Sequence, residues 1–227
     1  MGEDRIIATR PLCFAAMYKL FARPGWGSTL TEVQLAWYGL PYEVVDVDDL
    51  FASAAAREHL SAVNPVAQVP TLVLPGGDIM TESAAITLYL ADVAQSAALV
   101  PAPGEAERPK FLRWLVFLVA NIYPTFTYID DPTRFAPVEG AEKFAENVAL
   151  YRESLWGMVE AEAGDEWFLG GRFSALDIYL AVMTHWRPRR AWFAARCPRL
   201  HAIALKAEAR PELARVWRRN FPNGGPA

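Results

Sequence analysis

Residues Asn64–Ser83 have the sequence NPVAQVPTLVLPGGDIMTES, which contains several residues with unusual backbone requirements. Val69-Pro70 stands directly before an apolar run at 71–74. Because proline cannot donate to a central ladder, it suits only the first residue of a strand or an irregular entry. The Pro-Gly-Gly-Asp sequence that follows predicts a tight turn, and Ile79-Met80 predicts a short return strand that completes a hairpin.

Directly after this hairpin, Thr81-Glu82-Ser83 opens a helical pattern with Ile86, Leu90 and Val93 on one face. The stretch therefore ends in a helix N-terminus that carries free polar groups. A hairpin followed by such a terminus predicts a binding site rather than only a piece of core.

Upstream of the hairpin, the pattern predicts a strand at Tyr18–Ala22 and a second strand at 42–47, with a helix between them. Thr29 and Glu32 have the spacing of a capping box, which predicts that Thr29 caps this helix. An alanine-rich helix then ends near Val63. The order β-α-β-α-β-β-α predicts a parallel first β-α-β unit with a right-handed crossover.

The second half of the chain is predicted to be entirely helical. We predict a first domain at 1–97 (with 1–16 a loose extension), a proline-rich linker at 98–108 and an all-helical domain at 109–227. Phe111–Phe126 is apolar nearly all round, which predicts a central buried helix. Ser174 and Asp177 form a second capping-box pattern, and the tail from Asn220 is predicted to be loose.

Composition bounds the function. The 227 residues are 53% hydrophobic and 21% charged, as in an ordinary globular protein, and the net charge of −4 argues against nucleic acid as a partner. The charge is uneven, since residues 185–219 hold ten Lys or Arg and two acidic residues. This basic stretch is either a solvated face with helix C-terminal charges or a binding surface for an anion or acidic partner.

Cysteine and histidine usage gives no metal or disulfide signal. Cys13 and Cys197 are far apart and suit a reducing compartment, and the three histidines lack metal-ligand spacing. The longest apolar run, at 114–120, is too short to span a bilayer, so we expect a cytoplasmic protein without a membrane partner.

Three blocks of the chain resemble the cytosolic glutathione S-transferases of bacterial type, and the likeness extends over essentially the whole length. The blocks are Lys19–Glu43, Asn64–Ala91 with its Asn-Pro-x-x-Gln-Val-Pro and Glu-Ser-x-Ala-Ile motifs, and Phe173–Leu180. The resemblance implies an α+β thioredoxin-like domain with a mixed sheet, followed by an all-α helical-bundle domain, usually as a homodimer. It also implies glutathione as cosubstrate and a role in detoxification.

The family's glutathione site maps onto matching positions. By resemblance, the backbone of Val69 pairs with the cysteinyl part of glutathione in the manner of an added strand, and Pro70 is cis. Glu82 and Ser83 resemble the pair that holds the γ-glutamyl group, where a helix N-terminus offers N–H donors to a carboxylate. Outside this motif, Thr81 or Ser83 would be interpreted as only a helix cap, and Glu82 as only a partner of the helix dipole. Gln68 is either a contact to the glycyl carboxylate or a plain surface amide.

The catalytic residue is harder to place. Transferase chemistry needs the thiolate of glutathione, and a hydroxyl donor beside a helix N-terminus lowers the pKa of a thiol. The tyrosine of some classes matches Phe21 or Ala22 here, and the cysteine of some bacterial enzymes matches Gly27. Ser28 is therefore the candidate activating hydroxyl, with a structural N-cap role, Thr29 or a backbone N–H as alternatives.

The second substrate would be a small hydrophobic electrophile. Four aromatic residues are candidates for lining its pocket, although aromatic residues on a buried helix more often belong to the core: Trp26, Phe117, Tyr123 and Phe126. Conjugation is the expected reaction, while isomerisation, dehalogenation and ether cleavage use the same thiolate. The rival hypothesis is a non-catalytic regulatory or scaffolding relative that docks an acidic partner on the basic stretch.

Overall fold

A four-stranded mixed sheet forms the centre of the first half of the protein. The computed structural model describes residues 17–222, so the predicted extension at 1–16 lies outside the described residues. The strands are β1 (Tyr18–Ala22), β2 (Tyr42–Asp46), β3 (Thr71–Val73) and β4 (Ile79–Met80). They stand in the order β2-β1-β3-β4, with β2 parallel to β1 and both hairpin strands antiparallel to their neighbours.

Three helices cover this sheet: α1 (Ser28–Trp37), α2 (Ala54–Ser61) and α3 (Ser83–Val93). Alternation along β1 explains the two layers, because neighbouring residues of a strand point to opposite faces. Leu20 packs on one face among residues of α1 and α3, whereas Phe21 packs on the other face with Leu60 of α2. The sequence-based order of elements and the bounds of β1 and β4 are confirmed.

The described residues after the sheet domain are helical. The segments are α4 (Arg108–Phe117), a π segment (Leu118–Ile122), α5 (Tyr123–Asp130), a 3-10 turn (Pro132–Arg134), α6 (Val138–Glu162), α7 (Ala175–Met183), α8 (Arg190–Arg196), α9 (Pro198–Glu208), a second 3-10 turn (Pro211–Leu213) and α10 (Ala214–Asn220). Helix α7 is buried along its whole length, so it forms the centre of this domain. It begins with the predicted capping box, in which Asp177 accepts from the backbone N–H of Ser174 at 2.7 Å.

The prediction that Phe111–Phe126 is a central buried helix holds for only one side of the run. The run is divided by the π segment, and Pro124 at the start of α5 has no N–H to bond the preceding turn. Val116 is 55% exposed, so one side of the run faces solvent. The helical run Arg108–Asp130 has 23 residues, and an 18-residue window within it has a mean hydropathy of 1.2, which meets the length and composition of a membrane span. Its inward side, however, packs in the core of the helical domain through residues such as Trp114.

Two further predictions were wrong, one about the start of α1 and one about the tail that follows α10. Thr29 lies inside α1, and its hydroxyl donates to the Asn220 side chain at 2.8 Å instead of capping the helix. The described part of the tail is not loose, because Asn220 and Phe221 are both less than 10% exposed. Both errors have one cause, which is that α10 packs against the start of α1 across 190 residues of sequence.

Candidate functional site

The turn that leads from β1 into α1 is held by Ser28. Its hydroxyl donates to the carbonyl oxygen of Arg23 at 3.1 Å and accepts from the backbone N–H of the same residue at 3.0 Å. Ser28 is fully buried, and the helix N-cap is Gly27. Ser28 is therefore the first residue of α1 and braces the turn before it.

The loop before β3 carries a cis peptide bond between Val69 and Pro70. Asn64 supports this loop, because its amide nitrogen donates to the carbonyl oxygen of Gln68 at 3.1 Å and to the hydroxyl of Thr71 at 3.0 Å. Asn64 is buried, so these hydrogen bonds are shielded from water. The loop thus holds Val69 at the unpaired margin of the sheet domain, while the side chain of Gln68 is exposed.

Glu82 and Ser83 stand at the N-terminus of α3. Glu82 has φ 63° and ψ 101°, a left-handed conformation that is strained for a residue with a β-carbon. Its side chain makes no capping hydrogen bond, and it is exposed. Ser83 is the first helical residue and is only 9% exposed. Ser83 therefore lies inside the helix and is not its N-cap, and no side-chain hydrogen bond caps this terminus.

A buried polar group lies beneath this helix terminus. The hydroxyl of Thr87 donates to the carbonyl oxygen of Ser83 at 2.9 Å and lies 3.4 Å from the hydroxyl of Tyr179. Burial raises the pKa of Tyr179 to about 12, although hydrogen bonds with Ser83 and Thr87 lower it. Tyr179 therefore stays protonated at neutral pH and ties α7 of the helical domain to the start of α3.

A cleft of about 1280 Å³ opens between the two domains. One wall is formed by the turn at 24–27 and by the cis-proline loop at 66–69, and the other by α5 and the segment at 185–189. Tyr123 and Phe126 of α5 both pack edge-on against Trp186, at ring-centroid distances of 5.4 and 5.0 Å. Trp186 also donates its indole N–H to the carbonyl oxygen of Gly25 at 2.7 Å, which links the two walls.

Some of the predicted site residues line this cleft, and others lie outside it. Gln68 and Val69 line the cleft, whereas Ser28, Glu82 and Ser83 do not. Three of the four aromatic candidates line it, namely Trp26, Tyr123 and Phe126. The fourth, Phe117, packs against Trp114 at 4.9 Å.

The sequence analysis did not predict the contact between Gly27 and Tyr123. A β-carbon on Gly27 would lie 1.8 Å from the hydroxyl oxygen of Tyr123 and 3.0 Å from the carbonyl oxygen of Val69. No local pattern reports such a contact, because it depends on how the helical domain packs against the sheet domain. The glycine itself, at a place where some related enzymes have a side chain, was the available signal.

Many cations of the basic stretch at 185–219 pair within the protein. Ion pairs join Arg187 to Asp130 at 3.1 Å and Lys206 to Glu166 at 2.7 Å. Others join Arg190 to Glu208, Arg210 to Glu212 and Arg219 to Glu32. Five of the ten Lys and Arg residues of the stretch are thus shown in ion pairs with the protein's own carboxylates. Within residues 17–222, no three His, Cys, Asp or Glu side chains are grouped to hold a metal ion.

Comparisons with known proteins find similar sequences and similar folds. Residues 31–93 match the family model of the glutathione S-transferase N-terminal domain. An uncharacterized GST-like protein of Escherichia coli K12, YncG, is 41% identical over 205 residues, which are 90% of this chain and 98% of the relative. The glutathione S-transferase GstA of E. coli O157:H7 is 30% identical and covers 74% of this chain and 81% of its own. A sphingomonad glutathione S-transferase, solved in complex with glutathione, superposes with a TM-score of 0.69 at 33% identity, covering 88% and 97% of the two chains.

Proposed function

Because this chain belongs to the glutathione S-transferase family, we propose that it is an enzyme which activates the thiol of glutathione for attack on a small apolar electrophile. The observation that carries the proposal is the loop before β3, which Asn64 braces and which holds Val69 at the mouth of the interdomain cleft. It leaves the backbone of Val69 available to an extended peptide-like ligand, which glutathione is.

The cysteinyl part of glutathione would pair with the backbone N–H and carbonyl of Val69. This mode needs an unpaired strand-like edge that holds its shape before the ligand arrives, since a preformed site loses less conformational freedom on binding. The hydrogen bonds from Asn64 supply that rigidity. Gln68, exposed on the same loop, is the proposed contact for the glycyl end.

The γ-glutamyl group would bind at the N-terminus of α3. Helix N–H groups and the positive end of the helix dipole favour its carboxylate, and the hydroxyl of Ser83 adds a further donor. The exposed carboxylate of Glu82 makes no ion pair with a described residue and would take the ligand's ammonium group. The strained backbone of Glu82 supports the same role, since strain of this kind gathers at ligand sites.

The electrophile would enter the wide part of the cleft. The aromatic wall of Tyr123, Phe126 and Trp186 suits an apolar molecule, in agreement with the usual make-up of small-molecule sites. Ser28 stays the sequence-based candidate for the activating hydroxyl, although its proton is engaged by Arg23. The homodimer and the cytoplasmic location also stay predictions.

Turnover with a general aromatic electrophile tests the proposal. Purified protein is assayed with glutathione and 1-chloro-2,4-dinitrobenzene, and then with panels of alkyl halides, aryl ethers and isomerisable double bonds. Glutathione-dependent product formation from any of these substrates supports the proposed enzyme activity. Glutathione binding without turnover on the whole panel would favour the non-catalytic relative.

A further inference from the structure

The space in front of helix α1 is occupied by a phenol from the other domain. A β-carbon on Gly27 would lie only 1.8 Å from the hydroxyl oxygen of Tyr123 and 3.1 Å from Cζ of the same ring. Gly27 has φ −57°, which any residue adopts, so glycine is required there for room and not for backbone freedom. The Tyr123 hydroxyl thus occupies the space that a side chain on residue 27 would need.

Tyr123 is held in this place by its surroundings. It is the first residue of α5, and its ring packs edge-on against Trp186 at 5.4 Å and Phe126 at 6.5 Å. Trp186 is fixed in turn by its hydrogen bond to Gly25, in the same turn as Gly27. The phenol therefore approaches α1 in a fixed direction, as a group that acts on a bound ligand must.

The Tyr123 hydroxyl is also chemically available. It makes no hydrogen bond to any residue between 17 and 222, although it points at the cleft wall that contains Val69. Burial raises its pKa well above the ordinary value, and the nearby Tyr179 and Glu82 raise it further. The group is therefore a protonated donor at neutral pH. By contrast, the only proton of the Ser28 hydroxyl is directed at Arg23.

We infer that Tyr123 is a catalytic residue whose hydroxyl donates a hydrogen bond to the sulfur of bound glutathione and stabilises the thiolate. The inference rests on the proposed function, because it needs the cysteinyl part of glutathione on the backbone of Val69. A β-carbon on residue 27 would lie 3.0 Å from the Val69 carbonyl oxygen. The side chain of a cysteinyl group that pairs with the Val69 backbone therefore reaches the phenol.

The chemical step is as follows. The thiol of glutathione loses its proton to water, and the resulting thiolate accepts the hydrogen bond from Tyr123. The sulfur lone pair forms the new carbon–sulfur bond while the leaving group departs with the electron pair of its own bond. Tyr123 remains protonated throughout, since its role is to lower the pKa of the thiol and not to transfer a proton.

The test compares Tyr123→Phe with Tyr128→Phe, a matched control on the same helix that packs against Phe135 outside the cleft. The pKa of bound glutathione is read from the ultraviolet absorbance of the thiolate during a pH titration. Tyr123→Phe is expected to raise this pKa by about one to two units, because a hydrogen bond to a charged group is lost. At pH 6.5, kcat should fall by about 10- to 100-fold, with the glutathione Kd changed less than about threefold.

A second pair of variants guards against a misfolded mutant. Gly27→Ala places a methyl group where the phenol stands, so it should push Tyr123 aside and raise the thiol pKa by a similar amount. In the double variant the two effects should not add, since both remove the same hydrogen bond.

An unchanged thiol pKa in Tyr123→Phe would overturn the inference, and a raised pKa in Ser28→Ala instead would assign the role to Ser28. If the wild-type protein binds no glutathione at millimolar concentration, the proposed function itself fails and this inference falls with it.

Discussion

The amide nitrogen of Asn220, at the end of α10, donates a 2.9 Å hydrogen bond to Oε2 of Glu32 on α1. The same asparagine accepts from the hydroxyl of Thr29 at 2.8 Å and from the backbone N–H of Gly25 at 3.3 Å. Both Asn220 and Glu32 are less than 5% exposed. One side chain near the end of the described chain thus satisfies three groups at the start of α1 and holds the turn that forms one wall of the cleft.

We predict that Asn220→Ala lowers the free energy of unfolding by about 3 kcal/mol, because it leaves a buried carboxylate and a buried hydroxyl short of partners. Urea denaturation measures the change. Asn147→Ala, on the exposed side of α6, is the control and should stay within about 0.5 kcal/mol of wild type. A loss of less than 1 kcal/mol for Asn220→Ala would show that the contact is not a structural link between the domains.

Ala67 is predicted to be a strained position. It has φ 53°, where a residue with a β-carbon is disfavoured by about 1–2 kcal/mol. Ala67→Gly removes the strain but loosens the unfolded chain, so a net gain of about 0.5 kcal/mol in the free energy of unfolding is expected. Ala195→Gly, in the exposed part of α8, should instead lose about 1 kcal/mol. Equal losses for both variants would mean that the left-handed conformation carries no strain.

Asp177 is predicted to be essential for the helical domain. Its carboxylate accepts from the backbone N–H groups of Ser174 at 2.7 Å and Phe168 at 2.8 Å, and all three residues are buried. Asp177→Ala leaves both donors without a partner and should lower the free energy of unfolding by about 3 kcal/mol. Thermal denaturation checks this, with exposed Asp165→Ala as the control. A melting temperature equal to that of the control would contradict the role of the capping box.

Ser83→Ala and Glu82→Gln are predicted to weaken glutathione binding more than they weaken the fold. Each removes a hydrogen bond or ion pair to a charged group of the ligand, so the Kd should rise by about 10-fold or more. Calorimetry gives the Kd, and thermal denaturation gives the stability. The exposed Ser61→Ala on α2 serves as the control for serine removal. An unchanged Kd with a lowered melting temperature would leave both residues with only a structural role at the helix N-terminus.

Local patterns were sufficient for the sheet domain because its elements are short and close in sequence. The bounds of β1 and the hairpin follow from turn residues and alternation within a few positions, and in the helical domain the Ser174–Asp177 box follows from equally local capping chemistry. The start of α1 was misread for the opposite reason. Thr29 and Glu32 have the spacing of a capping box, yet both bind Asn220, about 190 residues away.

The candidate site likewise has parts that local sequence patterns predict and parts that depend on the packing of the two domains. The cis-proline loop and the start of α3 are each contiguous in sequence, so local patterns predict both of them. The approach of Tyr123 to Gly27 depends on the packing of α5 against the sheet domain, and periodicity carries no information about it. Sequence reasoning therefore treated Tyr123 only as a candidate pocket wall.

The most direct test of the central claim is a calorimetric titration of the full-length protein with glutathione. We predict saturable binding with a Kd below 1 mM for the wild type and at least a 10-fold higher Kd for Ser83→Ala, whose fold should be retained. Binding should also be absent for glutathione that lacks its γ-glutamyl residue, because the N-terminus of α3 then has no ligand group. No heat of binding at millimolar glutathione in correctly folded wild-type protein would contradict it.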